Sequence, residues 1–515
     1  MREFGSAPRL DAILARAARS EPRRDAVVFD GMAWTYAEVY DRALRLAGRL
    51  AAFGVKKGDR VAYWSDNRPE FLEFLFGVSM LGAIASPLDH WWTWSDASAA
   101  LAQLGAKILI VGSSQAHLVA KHIETLHSFG IERVLCLDDC SATSAVESYG
   151  RHLEAGERLS CPVPVASSDP AAILFTSGST GRSKGAIHTH GSLVAAAKVM
   201  CMELRLQDGE RTLHFLPLFS SCLDHLIPLT MMRATHVVLP QFDAREIWEA
   251  IRDHRITHFD AVPTTLRRIV DVAPSIVPPT LRMISYASEP MPAPLITTLI
   301  ERLPSVEFVQ FYGMIEHLCL TVLSASDQLR KIGTVGRPMF GTRLSLLNPG
   351  ETNANLQSTG EIIANSATMF AGYWHDEAAT AQVMRGEWMR TGDLGHFDDE
   401  GYLKLEGRVK EMIKTGGVTV IPSDVEAALI KHPGVKDVAV VGIPDEQWGE
   451  AVHAFVTLSS GAVVEEEELK SFCRERLAGY KRPKKIHIVA ELPRTGIGKI
   501  ARRQVRKLAI AQGTN

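Results

Sequence analysis

Residues 173–190 read ILFTSGSTGRSKGAIHTH: an apolar strand pattern runs into glycines, hydroxyls and two cations. Glycines let backbone N–H groups crowd around an anion, while Ser, Thr, Lys and Arg side chains add donors and positive charge. The stretch Thr176–Lys184 therefore predicts a phosphate-holding loop. A Walker-type loop needs Gly-Lys followed directly by Ser or Thr, so that the hydroxyl reaches magnesium. Here Lys184 lies between Ser183 and Gly185, which argues against a GTPase or kinase-like nucleotide fold.

Such a loop needs a rigid frame. Ahead of it, helical spacing at Leu44–Phe53 is followed by the strand-like DRVAYWS, and PEFLEFLFGVSMLGAIASPL reads as a helix into a strand. LGAKILIVGS, ERVLCLDD, AAILFTSGS, THVVLPQ and LRMISYAS are further short apolar strands separated by helix-length segments. That rhythm predicts a large N-terminal α/β domain with mixed, largely parallel sheets. After Gly333, closely spaced glycines and the runs RLSLLN, GEIIAN and GYLKLEG predict a small antiparallel β subdomain. Past Arg408, alternating helix and strand signals describe a small α+β C-terminal domain of about a hundred residues. The expected division is residues 1–409 and 410–515.

The chain has 515 residues, of which 46% are hydrophobic, enough for at least two cores. Its formal charge of −3, from 59 acidic and 56 basic residues, gives no reason to expect adhesion to nucleic acid or anionic membrane. Seven scattered cysteines resemble neither a disulfide framework nor a zinc site, and a reducing cytoplasm is the expected location. No apolar run reaches the ~18 residues of a membrane span, and no signal segment opens the chain.

The loop TSGSTGRSKG is similar to the phosphate loop of the adenylate-forming superfamily, which includes acyl- and aryl-CoA synthetases. FYGMIEH at 311–317, RTGDLG at 390–395, GRVKEMIKTGG at 407–417, LAGYKRP at 477–483 and LPRTGIGKI at 492–500 extend the resemblance in the same order along nearly the whole chain. The resemblance implies ATP-dependent activation of a carboxylic acid to an acyl-adenylate, followed by thioester formation with coenzyme A. Joining a carboxylate to a phosphate brings two anions together, so the site must neutralise both.

Carried onto this sequence, the resemblance implies that Thr176, Ser177, Gly178, Ser179, Thr180, Gly181 and Lys184 wrap the β- and γ-phosphates. Glu316 resembles the magnesium ligand, Asp393 the residue that accepts both ribose hydroxyls, and Arg408 a second ribose or phosphate contact. Tyr312, Gly313 and the backbone near Ser288 and Glu289 would hold adenine. Lys499 resembles the lysine that bridges the attacking carboxylate and the α-phosphate, where a cation favours the transition state over the ground state. Lys410 matches a hinge for rotation of the C-terminal domain, and Gly416 and Gly417 match a loop lining a pantetheine tunnel.

The sequence also departs from the pattern. Ile315 replaces a threonine usually aimed at the α-phosphate, Ser183 replaces a proline, and Ser220 replaces a histidine or aromatic gate. The resemblance implies an acid pocket lined by Ser220, Cys222, His225, Ala287, Ile315 and His317, a mixed set expected to leave room for a bulky or partly polar acid. Trp91, Trp92 and Trp94 read as packing or a subunit interface, which leaves a homodimer open. Two other readings compete. One is a stand-alone adenylating enzyme passing its acyl group to a carrier-protein phosphopantetheine or a partner enzyme. The other is a non-catalytic adenylate-binding protein.

Overall fold

The computed structural model describes residues 8–138, 146–176, 183–221, 225–347, 359–494 and 500–512. The chain divides into two compact units, one of Met1–Arg343 with Ala364–Met389, the other of Leu344–Ile363 with Arg390–Asn515. It passes between them three times, after Arg343, Ile363 and Met389.

The first unit holds two sheets. One runs in the order Glu147–Ser148, Arg133–Cys136, Ile108–Val111, Arg60–Trp64, Ile84–Pro87, Pro170–Thr176, Lys184–Thr189, parallel except for its closing hairpin. Its central strands are buried on both faces, which is why they read as unbroken apolar runs rather than as alternation. The other sheet has a parallel centre, formed by Thr235–Val238, Arg211–His214, His258–Ala261, Met283–Tyr286 and Glu307–Tyr312 in that order. Antiparallel strands close both its edges.

Helix Tyr36–Ala52 begins at a capping box, in which the Thr35 hydroxyl accepts from the Glu38 N–H and the Glu38 carboxylate takes the Thr35 N–H. It buries Val39, Ala43, Leu46, Ala47 and Leu50 along one stripe, packed against helix Glu70–Met80. Each such large aliphatic side chain contributes about 1.5–3 kcal/mol when fully buried.

The second unit contains the antiparallel strands Leu403–Arg408, Ile413–Thr415, Val418–Val420, Val435–Asp445 and Gly449–Leu458, with Lys485–Ile488 parallel to the last. Helices Pro422–Leu429, Glu466–Arg474 and Arg502–Gln512 accompany them. Ile413, Leu429, Val440, Val452, Val456 and Leu469 form its core. The expected fold class, a large α/β unit with mostly parallel sheets and a smaller α+β one, is what the chain adopts. Cys136 is disulfide-bonded, which the scattered cysteine spacing did not announce, while Cys161, Cys201, Cys319 and Cys473 are free. No helix among the described residues is long and apolar enough to cross a membrane.

Candidate active site

The strands Pro170–Thr176 and Lys184–Thr189 pair antiparallel, with Thr176 opposite Lys184 as the outermost pair. The predicted phosphate residues Ser177, Gly178, Ser179, Thr180 and Gly181 lie outside the described residues. The hairpin is held from its other side by residues 370–374. Ala371 N–H donates to Ile187 O at 2.8 Å, Ile187 N–H to Gly372 O at 2.9 Å, and Trp374 N–H to Gly185 O at 2.7 Å.

The same segment reaches the predicted metal ligand. Phe370 N–H donates to Glu316 O at 2.8 Å, and the Tyr373 hydroxyl donates to Glu316 Oε1 at 2.7 Å. Lys184 Nζ stands 4.9 Å from the centre of the Tyr373 ring. Glu316 is only 9% exposed, yet among the described residues no lysine or arginine nitrogen pairs with it and Oε2 takes no hydrogen bond. The carboxylate thus has one oxygen engaged and one open, and a cation placed at Oε2 would pair with its charge. Among the described residues no group of three or more His, Cys, Asp or Glu side chains could hold a metal by itself. A hard ion here would therefore draw its remaining oxygens from phosphate or water, as magnesium does.

The turn carrying Glu316 is tightly wound. A Cβ on Gly313 would lie 1.8 Å from Leu318 O, so no larger residue fits there. His188 Nε2 bonds Ile315 O at 2.7 Å, and the Thr368 hydroxyl donates to His317 O at 2.9 Å. Burial pushes the His188 and His317 imidazoles down to about 4, so both are neutral at ordinary pH. The side chain of Ile315 packs into the apolar core.

Tyr312 ends its strand nearly buried, and its carbonyl accepts from Leu320 N–H at 3.0 Å. Ser288 takes a φ of +74°, and Glu289 N–H turns back to Ala287 O at 2.9 Å. A three-residue turn of this hand costs a non-glycine residue about 1–3 kcal/mol, a strain characteristic of ligand-holding segments.

Of the predicted acid-pocket residues, Ser220 is exposed and donates to Pro217 O at 3.0 Å, Ala287 and Ile315 are half-buried, and Cys222 lies outside the described residues. His225 is fully buried in a polar network that the sequence did not reveal. His225 Nε2 and His258 Nε2 both lie 2.9 Å from Ser285 Oγ, which donates to Asp260 Oδ1 at 3.3 Å. On the neighbouring strands His214 Nε2 meets His236 Nδ1 at 2.9 Å, and His236 Nε2 meets the Thr230 hydroxyl at 3.1 Å. Burial pushes His236 down to about 3 and His214 and His258 well below the ordinary imidazole range.

In the second unit Asp393 and Arg408 are direct cross-strand partners, with Arg408 Nε 3.0 Å from Asp393 Oδ1. Thr391 Oγ1 accepts from Asp393 N–H at 3.1 Å and donates to Ile362 O at 2.8 Å. Lys410 lies in the short 3-10 turn Val409–Glu411 that follows. Gly416 and Gly417 form the two-residue link of a hairpin, with φ of +56° and +81°, the pair of left-handed residues that such a link requires. Gly416 N–H donates to Trp448 O at 2.8 Å, and Lys484 Nζ stands 4.3 Å over the Trp448 ring. Lys499 lies outside the described residues; Arg494 and Ile500 on either side pair as an isolated bridge.

The hairpin of Pro170–Thr176 and Lys184–Thr189 on an α/β sheet, with the buried Glu316 linked to it through Tyr373, fits an adenylate-forming class of enzyme. Comparison with known proteins gives the family. Residues 14–374 match the AMP-binding enzyme family, and residues 424–499 match the AMP-binding enzyme C-terminal domain. Feruloyl-CoA synthase of Amycolatopsis sp is 35% identical over 96% of this chain and 97% of its own. The long-chain-fatty-acid–CoA ligase FadD13 of Mycobacterium tuberculosis is 33% identical over 96% and 97%. The o-succinylbenzoate CoA synthetase MenE of Bacillus subtilis, solved with its acyl-adenylate intermediate OSB-AMP, superposes with a TM-score of 0.84 at 28% identity over 96% of this chain and 97% of its own. The same synthetase has been solved with ATP and a magnesium ion. The chain belongs to the AMP-binding enzyme family and is an AMP-forming acid–thiol ligase.

Proposed function

We propose that the chain activates a bulky or partly polar carboxylic acid with magnesium ATP and transfers the acyl group to coenzyme A. The observation that carries this reading is Glu316, a buried carboxylate with Oε2 open, seated one tyrosine away from Lys184 on the phosphate hairpin. In the first step the hydroxyls from Thr176 to Thr180, together with Lys184, hold the β- and γ-phosphates, and Glu316 would hold magnesium, which would supply charge neutralisation to the phosphate oxygens. Asp393 takes the ribose hydroxyls. The strained turn at Ser288 presents backbone to adenine beside Tyr312. Lys499 stabilises the charge that develops as the carboxylate oxygen attacks the α-phosphorus and pyrophosphate leaves. In the second step residues 410–515 rotate about Lys410, and the Gly416–Gly417 hairpin, backed by Trp448, admits the thiol that displaces AMP from the acyl carbon.

Aromatic acids are the first to test, because a feruloyl-CoA synthase is a relative at 35% identity. A panel of aryl, aryl-propenoic and long-chain acids, scored by pyrophosphate release, tests the reading directly. Release with none of them overturns it. Running the positive acid with free coenzyme A and with a phosphopantetheinyl carrier protein distinguishes the two acceptors.

A further inference from the structure

We propose that Tyr373 is a positioning residue for Glu316, holding one carboxylate oxygen so that the other faces a cation, and joining that carboxylate to Lys184 through its ring. The inference rests on the reading of Glu316 as the metal ligand. Tyr373 is itself fixed at several points. Its backbone bridges Ala186 in the phosphate hairpin, its N–H donates to the Thr380 hydroxyl at 2.9 Å, and its ring packs edge-on against Phe370 at 5.0 Å. The phenol thus has one orientation, and its hydrogen bond leaves Glu316 Oε1 engaged and Oε2 open.

The chemistry favours this arrangement over a direct lysine–glutamate pair. An ammonium bonded to Glu316 would cancel the charge that a divalent ion needs. A phenol orients the carboxylate without neutralising it, as the outer partners of metal ligands do. The Lys184 ammonium lies over the ring face, where the quadrupole attracts a cation while leaving its N–H groups free to meet phosphate.

The test compares Tyr373→Phe, Tyr373→Leu and Glu316→Gln. Without acid substrate present, calorimetry of magnesium ATP binding to Tyr373→Phe is expected to show affinity about tenfold weaker, the usual scale for losing an outer partner of a metal ligand. The midpoint of the magnesium titration rises correspondingly, kcat recovers when magnesium is raised, and the melting temperature stays near wild type. Tyr373→Leu weakens binding further, because the lysine loses its ring. Combining Tyr373→Phe with Glu316→Gln adds nothing to Glu316→Gln alone. Wild-type metal dependence in Tyr373→Phe, alongside a clear loss in Glu316→Gln, overturns the positioning role while sparing the metal-ligand reading. Unchanged metal dependence in Glu316→Gln overturns both, with the fault in the metal-ligand reading.

Discussion

Asp393 and Arg408 face each other across two antiparallel strands and are joined by a 3.0 Å ion pair. The family resemblance assigns both to the nucleotide, and the pairing fixes each side chain against the other. Asp393 is buried while the Arg408 side chain is 59% exposed, and this asymmetry separates their effects. Asp393→Ala removes two charge-assisted acceptors and should raise KM for ATP at least about tenfold, whereas Arg408→Met, losing a largely exposed pair, should cost only a few-fold. Acid-dependent pyrophosphate exchange at varied ATP measures both; equal losses contradict the assignment.

The roles proposed for Lys499 and Lys410 divide the two half-reactions between them. Lys499→Ala should abolish pyrophosphate exchange yet leave thioester formation from supplied acyl-adenylate largely intact. Lys410→Pro should do the reverse, sparing adenylation more than transfer. Loss of both steps in Lys499→Ala, or of neither in Lys410→Pro, rejects this division.

Ile315→Thr should restore the hydroxyl that relatives aim at the α-phosphate. One hydrogen bond to a charged group contributes about 1.5–3 kcal/mol, so adenylation should quicken by about tenfold or more. Ile315 also packs into the core, so the same variant should melt at a lower temperature. A faster and more stable variant would contradict the packing, and an unchanged rate would contradict the phosphate contact.

Gly416→Ala meets two obstacles, a left-handed backbone and a Cβ only 2.9 Å from Trp448, whereas Gly417→Ala meets the backbone strain alone. Thioester formation should therefore fall further in Gly416→Ala, with pyrophosphate exchange little changed in either. Equal effects on both half-reactions would remove the hairpin from the thiol path.

The buried histidines make stability depend on pH. His214, His236 and His258 stay neutral when folded because burial lowers their affinity for protons, and Asp260 and His225 are their polar neighbours. The unfolded chain regains the ordinary imidazole value of about 6.5 and takes up protons that the folded chain refuses. Stability is thus fully present above about pH 6.5 and falls as pH drops toward the folded values, by about 1.4 kcal/mol per pH unit for each histidine. Melting temperatures between pH 7 and pH 4.5 check this. His236→Gln should flatten the decline, and a flat wild-type profile contradicts it.

Features that depend on local composition are legible in the sequence alone. Parallel strands announce themselves as apolar runs, and the phosphate hairpin as glycine and hydroxyl after such a run. Partners that lie far along the chain are not legible in this way. Tyr373 sits 57 residues after Glu316, and its AGYW context carries no charge or motif that signals a carboxylate partner. His214, His236 and His258 are single residues on three separate strands, and only their order in the sheet makes them neighbours. Trp448 likewise reads as an ordinary loop aromatic until the Gly416 hairpin is folded against it.

The three passages of the chain between its units set a schedule for synthesis. The hairpin at Pro170–Thr176 and Lys184–Thr189 and the turn at Glu316 leave the ribosome early, but the strip that stitches them together belongs to Ala364–Met389. Between them the nascent chain must first make its excursion through Leu344–Ile363. A growing polypeptide therefore cannot fasten this frame until Trp374 has emerged, a point reached before the C-terminal helix Arg502–Gln512 has been made.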